Sequence, residues 1–361
     1  MRFLITVLCL IQSSVLICQN IITVCALEST PSQYHTLQAA VDAATTGDII
    51  HVLPSPLVLE GAIVDKALTI MGPGHEPNSE SGLLSQVGVI ELSNSVDVLI
   101  EGLVLTQVAV AIGSSASNTT VRRNRFVGNG KFIYTQQQSN VLGSENWIIE
   151  GNVFTSDEPP NSTPVLYFNE KDTSVVFRNN YVDCFWTYQS LTYGRPFNAI
   201  FSNNLIYMRH GDYLAEYNGD LLFHSNIFYV GTGEPDFNNG CNNCTFQGNL
   251  FYTASGGTLV DPQEIGSTNI MNQQPMFVNP DFDGADTLSW SLDRDYHLVV
   301  GSPGIGDGLY GQDVGIHGNL FNFNMSGRPS GVPIITLLSK AYDIVPVDAP
   351  LEIEIETETA E

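Results

Sequence analysis

The stretch Val175-Val176-Phe177-Arg178-Asn179-Asn180-Tyr181-Val182 decides the reading of this chain, because degraded copies of it recur from about residue 98 to residue 253. The copies run Val121–Phe126, Ile149–Phe154, Phe201–Ile206, Phe223–Phe228 and Phe246–Phe251. Their anchors, Asn124, Asn152, Asn180, Asn204, Asn226 and Asn249, are 28, 28, 24, 22 and 23 residues apart by subtraction. A period in the twenties signals stacked units rather than one compact core. Three residues before each anchor stand Val121, Ile149, Phe177, Phe201, Phe223 and Phe246, and two after it stand Phe126, Phe154, Val182, Ile206, Phe228 and Phe251. Two residues before each anchor the set is polar: Arg122, Glu150, Arg178, Ser202, His224 and Gln247. Side chains alternate faces along a strand, so the apolar set points inward and the polar set outward.

The anchor Asn is expected at a corner between strands. Asn tolerates left-handed backbone, and its amide can bond to an identical Asn one rung away when parallel strands stack in register. A coil of 22–28 residues holds two or three short strands plus turns, but no long helix in each. That disfavours leucine-rich repeats and βαβ units.

On these repeats the chain resembles the right-handed parallel β-helix superfamily that includes pectin lyases. The two ends carry the resemblance further. The opening run Tyr34–Ile50, followed by Ala67–Gly74, resembles the start of many β-helix polysaccharide lyases. Pro275–Asp281, Tyr296-His297-Leu298, Gly301–Ile305 and Asp313-Val314-Gly315 resemble the ending of secreted bacterial β-helix proteins. The resemblance spans about Tyr34 to Asn319. It implies an all-β chain, a right-handed single-stranded parallel β-helix with an N-terminal capping helix. Within the opening, Thr36 suits an N-cap, Leu37, Ala40, Val41 and Ala44 form one helical face, Gly47 ends the helix, and Ile49–Leu53 reads as a strand. Gly72 and Gly102 hold places comparable to the later Asn.

Residues 1–26 read as a secretory leader, with Arg2, an apolar run from Phe3 to Leu10, and small residues at Val24-Cys25-Ala26. Gln12, Gln19 and Asn20 interrupt the run, against a membrane span. Residues 27–325 then form the β-helix domain. Residues 326–361 form an acidic tail that resembles a truncated β-sandwich start or stays disordered. The chain carries 13 Lys and Arg against 38 Asp and Glu, and losing Arg2 with the leader takes the net charge from −25 to −26. Such a surface repels nucleic acid and anionic lipid. The expected product is a secreted or cell-surface monomer whose partner is extracellular polysaccharide. Cys241 and Cys244 read as a local disulfide, since no second pair completes a zinc set. Cys184 is then an odd thiol. Asn118, Asn161 and Asn324 head glycosylation sequons that Asn-rich sequences also produce by chance.

In enzymes of this superfamily the site lies in a groove on the outer face of one sheet. The polygalacturonase motifs Asn-Thr-Asp, Asp-Asp, Gly-His-Gly and Arg-Ile-Lys are absent, as is the contiguous calcium-aspartate and arginine pattern of pectate lyases. The nearest match is Arg209-His210-Gly211-Asp212. Arg209, His210, Asp212 and Glu216, with Asp220 nearby and His224 one rung later, form the densest ionisable cluster. By residue type these are the catalytic candidates for lyase chemistry, which needs a base and a cation, or for hydrolysis, which needs two carboxylates. Arg178, Arg195, Tyr207, Tyr213 and Tyr229 are candidate substrate contacts. Tyr207, Tyr229 and Tyr252 form either an exposed ladder for sugar rings or packing under a loop. Trp147 reads as core or groove wall. Asp281, Asp283 and Asp286 suit calcium by type, or form a metal-free turn, since Leu292 stands where an EF-hand places its closing acid. The alternatives to polysaccharide binding are a polysaccharide lyase or glycoside hydrolase, and a purely structural adhesion module.

Overall fold

The computed structural model describes residues 19–359 other than 77–82, 129, 136–141, 156–163, 186–189, 211–213, 217, 264–265, 281–287, 289, 331–332 and 341–352. The chain is a parallel β-solenoid of about nine turns. The first face is a parallel sheet that climbs from Ile21–Val24 and Ile49–Val52 through Thr69–Met71, Leu99–Glu101, Thr120–Arg122, Glu145–Glu150, Thr173–Arg178, Ile200–Ser202 and Leu222–His224 to Thr245–Gln247. The second face carries Arg125–Val127, Val153–Thr155, Tyr181–Phe185, Leu205–His210, Ile227–Thr232, Leu250–Thr253 and Ile270–Met271. A third face grows from the far half of Val104–Val110. Val104 and Leu105 pair with Arg125 and Phe126, whereas Val108 and Ala109 pair with Ile133 and Tyr134. Ile133–Tyr134, Leu166–Tyr167, Thr192–Tyr193 and Ala215–Glu216 continue that third face. Its strands are two residues long, too short to leave an alternating pattern in sequence.

The first strand, Ile21–Val24, falls inside the stretch read as leader. It pairs in register with Ile49–Val52, and both Val24 and Cys25 are fully buried, so among the described residues Ile21–Val24 is the first rung of the solenoid. The helix Leu37–Ala43 forms as its sequence indicates. Thr36 caps the Ala39 N–H, and Leu37, Ala40 and Val41 enter the main core.

The two apolar sets form the inward stacks. Val121, Ile149, Phe177, Phe201, Phe223 and Phe246 occupy successive rungs in register, all fully buried. Neighbouring rings from Phe177 to Phe246 lie 4.9–5.4 Å apart. Phe126, Phe154, Val182, Ile206, Phe228 and Phe251 form the second stack. Trp147 is core, with its indole N–H donated to the Ala116 carbonyl.

The corner between first and second faces is an asparagine ladder. Each side-chain oxygen accepts from the backbone N–H and the amide of the Asn one rung below. Each amide also donates to a backbone carbonyl of the rung below, as Asn204 does to Phe177 and Asn226 does to Phe201. The ladder runs unbroken from Asn124 to Asn269. One expectation is corrected here. The left-handed residue is not the ladder Asn but the residue before it. Gly102, Arg123, Gly151, Asn179, Asn203, Ser225 and Gly248 all have φ between 51° and 70°. Gly102 therefore belongs to this row, and Leu103 stands at the ladder position, donating its N–H to Asn124. A second left-handed row, Asp97, Asn118, Asn146, Ser174, Asn198, Asp220 and Asn243, turns the chain into the first face.

After the last coil the chain doubles back. Residues 302–330 form a strap that runs along the first corner against the direction of the coils. Gly304 lies beside Leu250, Leu309 bonds Ser225, Phe321 covers Gly151, and Ser326 accepts the His75 N–H. The left-handed row is its dock. Asn179 and Asn203 donate to the Ile316 and Asp313 carbonyls, Asn319 bonds both Asn179 and Asn203, and Arg123 sits 5.3 Å over the Phe321 ring. With Phe277, Leu288 and Tyr296, the strap buries the outer side of the second face, forming a second apolar cluster with Val153, Tyr181, Leu205, Tyr207, Ile227, Tyr229 and Leu250. Beyond it, Pro333–Lys340 and Ile353–Thr359 pair as an antiparallel hairpin. Among the described residues no helix is long and apolar enough to cross a membrane.

Candidate functional site

A coil visits three faces, so residues close in sequence separate in space, and the ionisable cluster at 209–224 is divided. Arg209 lies on the second face, where its guanidinium makes two bonds to Asp183, at 2.7 and 2.9 Å. Burial pushes the Asp183 carboxyl above its ordinary range even against that guanidinium. Glu216 lies on the third face, in register with Tyr193. Asp220 is a left-handed corner residue. His224 faces out from the first face. The backbone of His210 ends a second-face strand, and its side chain lies outside the described residues, as do Asp212, Tyr213, Asp281, Asp283 and Asp286. Among the described residues no three His, Cys, Asp or Glu side chains group to hold a metal. Arg195 is exposed just after the third-face strand Thr192–Tyr193.

Tyr207 and Tyr229 correct the exposed-ladder reading. They are only 2% and 1% exposed, because the C-terminal segment covers them. Sequence could not show this, since the covering residues lie between 48 (Tyr229 to Phe277) and 116 (Tyr207 to Phe323) positions away. An outward tyrosine row does exist, on the third face. Tyr134, Tyr167 and Tyr193 are in register, with Tyr167 and Tyr193 stacked at 4.3 Å and Lys131 over the first two rings. Tyr134 meets Tyr167 edge-on at 5.2 Å. Partial burial, joined by a hydrogen bond to Tyr193, raises the Tyr167 hydroxyl to about 12. Cys241 and Cys244 are joined by a disulfide. Cys25 is a buried free thiol, and the Cys184 side chain lies outside the described residues.

Among the described residues, the first face keeps an open groove beside the strap. Two outward rows run along it in register. One is Glu101, Arg122, Glu150, Arg178, Ser202, His224 and Gln247. The other is Leu99, Thr120, Ile148, Val176, Ile200, Leu222 and Thr245. Strand alternation sets the rows two residues apart, and parallel pairing repeats each row at about 4.8 Å. The strap edge forms a wall. Val176, Arg178, Ile200, Ser202 and His224 floor a cavity of about 660 Å³, and Tyr310, Gln312, Asn319, Leu320 and Phe321 flank it.

The charges on the polar row are paired. Arg122 meets Glu101 at 2.9 Å and Arg178 meets Glu150 at 2.7 Å. Burial lowers His224 below the ordinary histidine value, which keeps its ring neutral near pH 7. Its Nδ1 lies 3.3 Å from the Ser225 hydroxyl. Arg178 and His224 stand two rungs apart, about 10 Å at the rung spacing. Of the residues singled out in sequence, these two share the groove, whereas Arg209 lies over the Tyr207 ring at 5.8 Å and Tyr207 packs on Tyr229 beneath the C-terminal segment. What sequence did not reveal is the wall, because Tyr310 and Leu320 carry no motif.

The chain matches no known family model, and none of the curated proteins matches it. The class that fold and groove define is a parallel β-solenoid with a lateral groove along its first face.

Proposed function

We propose that this chain is a secreted, carbohydrate-associated β-helix protein that binds an extended polysaccharide in the first-face groove. The observation that carries the reading is the pair of rows, one polar and one apolar, running parallel to the axis beside the strap wall. A linear polymer of repeating units fits a linear site of repeating rungs. Ser202, His224 and Gln247 offer hydrogen bonds, while Val176, Ile200 and Leu222 offer an apolar strip for the C–H faces of sugar rings. The net charge of −25 disfavours nucleic acid as the occupant. In this reading the coil is right-handed, the helix Leu37–Ala43 closes its N-terminal end, and the protein works outside the cell as a monomer. A leader removed ahead of Ile21 would leave the first strand in place.

Affinity electrophoresis of the folded protein through gels containing single polysaccharides tests the reading. Retardation by at least one polymer, weakened in Arg178→Ala with His224→Ala, is expected. No retardation in any gel would overturn it. One observation favours a second reading, a lyase: a neutral, half-buried His224 stands on the same row as Arg178. The imidazole would take the proton from the carbon beside a uronate carboxylate, the guanidinium would hold the developing charge, and the glycosidic C–O bond at the next carbon would break as the double bond forms, its oxygen taking a proton from the imidazolium or water. Appearance of unsaturated ends in ultraviolet absorbance, lost in His224→Ala, is the outcome that reading requires.

A further inference from the structure

We infer that the strap supplies a sugar-stacking residue, Tyr310, and that the groove it walls takes an uncharged polysaccharide; this rests on the binding function proposed above. Tyr310 combines features that packing does not explain. Its side chain is 87% exposed, on a strap whose neighbouring apolar groups Val314, Ile316 and Phe323 are buried. Its backbone is left-handed, φ 65° and ψ 21°, an unfavourable conformation for an aromatic residue. The turn that holds it is tightly fixed. Leu309 donates to the Ser225 hydroxyl at 2.9 Å, Gly308 to the Gln312 carbonyl at 2.8 Å, and Gly315 to the Ser225 carbonyl at 2.8 Å. The solenoid thus holds a strained turn rigid in order to present a solvated ring.

That ring stands at the groove beside His224, and it also borders a second hollow of about 350 Å³ formed with Thr268 and Ile270. It is therefore a crest between two depressions along the axis, where a chain passing over it would lay a sugar ring on its face. Leu320, fully exposed at the same groove, adds a second apolar contact. The charge of the ligand follows from its hosts. Among the described residues of the groove, the groups beside Tyr310 that make no ion pair are Ser202, Asn203, His224, Gln312 and Asn319, and the second hollow adds the carboxylate of Asp307. The one cation in the groove, Arg178, is already held by Glu150. A polyanion would meet no available counter-charge here and a strongly acidic protein around it.

The test runs wild type, Tyr310→Ala and Tyr310→Phe in native gels containing a soluble β-glucan, a galactomannan, an α-glucan, polygalacturonate or alginate. The expected result is retardation by a neutral polymer, weakened roughly tenfold in Tyr310→Ala and kept in Tyr310→Phe, the size of one lost stacking contact. Unchanged retardation of Tyr310→Ala, where Arg178→Ala with His224→Ala abolishes it, would overturn the inference and leave the binding function standing. Preference for either polyuronate would overturn the neutral-ligand assignment. Failure of wild type to bind any of the five would count against the binding function itself. Tyr310 buries little, so its variants fold, and circular dichroism verifies this.

Discussion

Replacing Asn204 with Ala tests what holds the coils in register. Asn204 is fully buried. Its oxygen accepts from the Asn180 backbone N–H at 2.9 Å and the Asn180 amide at 3.1 Å, and its amide donates to the Phe177 carbonyl at 3.0 Å and the Asn226 oxygen at 2.8 Å. Truncation leaves the Asn180 N–H buried without an acceptor and removes three further bonds. One orphaned buried donor and three lost bonds together amount to roughly 3–6 kcal/mol. Domains retain only about 5–15 kcal/mol in total, so this is a large fraction. Asn269→Ala is the control. Asn269 ends the ladder and is partly exposed, so water replaces its bonds and the loss stays below about 2 kcal/mol. Urea titrations followed by circular dichroism at matched protein concentration give both values. If Asn204→Ala loses no more than Asn269→Ala, the amide ladder is not what holds this corner, and the strap and left-handed row must hold it instead.

Acidification should loosen the strap. Burial, with Arg125 nearby, holds His75 at about 3, against 6.5 for the free side chain. The unfolded chain therefore takes up the proton first as pH falls. His75's contribution is complete above pH 6.5 and is lost between 6.5 and 3, up to about 5 kcal/mol from the shift. His317, lowered to about 4 by burial beside His297, acts in the same direction. Denaturation across that range, repeated with His75→Phe, should show a shallower acid loss in the variant; an identical slope would exclude His75. Gly151→Val should displace the strap, since a Cβ there would stand 2.7 Å from the Phe321 ring and φ is 64°. Limited proteolysis should then cut near residue 321 faster than in wild type, and an unchanged pattern would refute the docking. The Cys241–Cys244 disulfide closes so short a loop that reducing it should cost at most about 2 kcal/mol. A melting-temperature change beyond a few degrees would show that it also anchors the last coils.

Sequence alone determined the solenoid. Strand alternation and rung stacking are local and periodic, so Phe177, Arg178 and Asn180 each declared a facing direction through their copies, and the structure keeps those directions. The amide ladder was legible for the same reason, although the left-handed backbone lies one residue earlier, at Asn179 and its equivalents, where Gly, Arg, Asn and Ser stand at different rungs and no one type holds the position throughout. Only the tertiary structure decided which face stays open. The strap reaches back more than 200 residues in sequence, from Ser326 to His75, and it buries Tyr207 and Tyr229 while leaving Tyr310 in solvent. Burial of an outward residue depends on what later packs against it, and no periodicity encodes that. The same geometry explains the divided ionisable cluster. Residues 209–224 are neighbours along the chain, but a coil turns through three faces in that distance, so Arg209, Glu216 and His224 point in three directions.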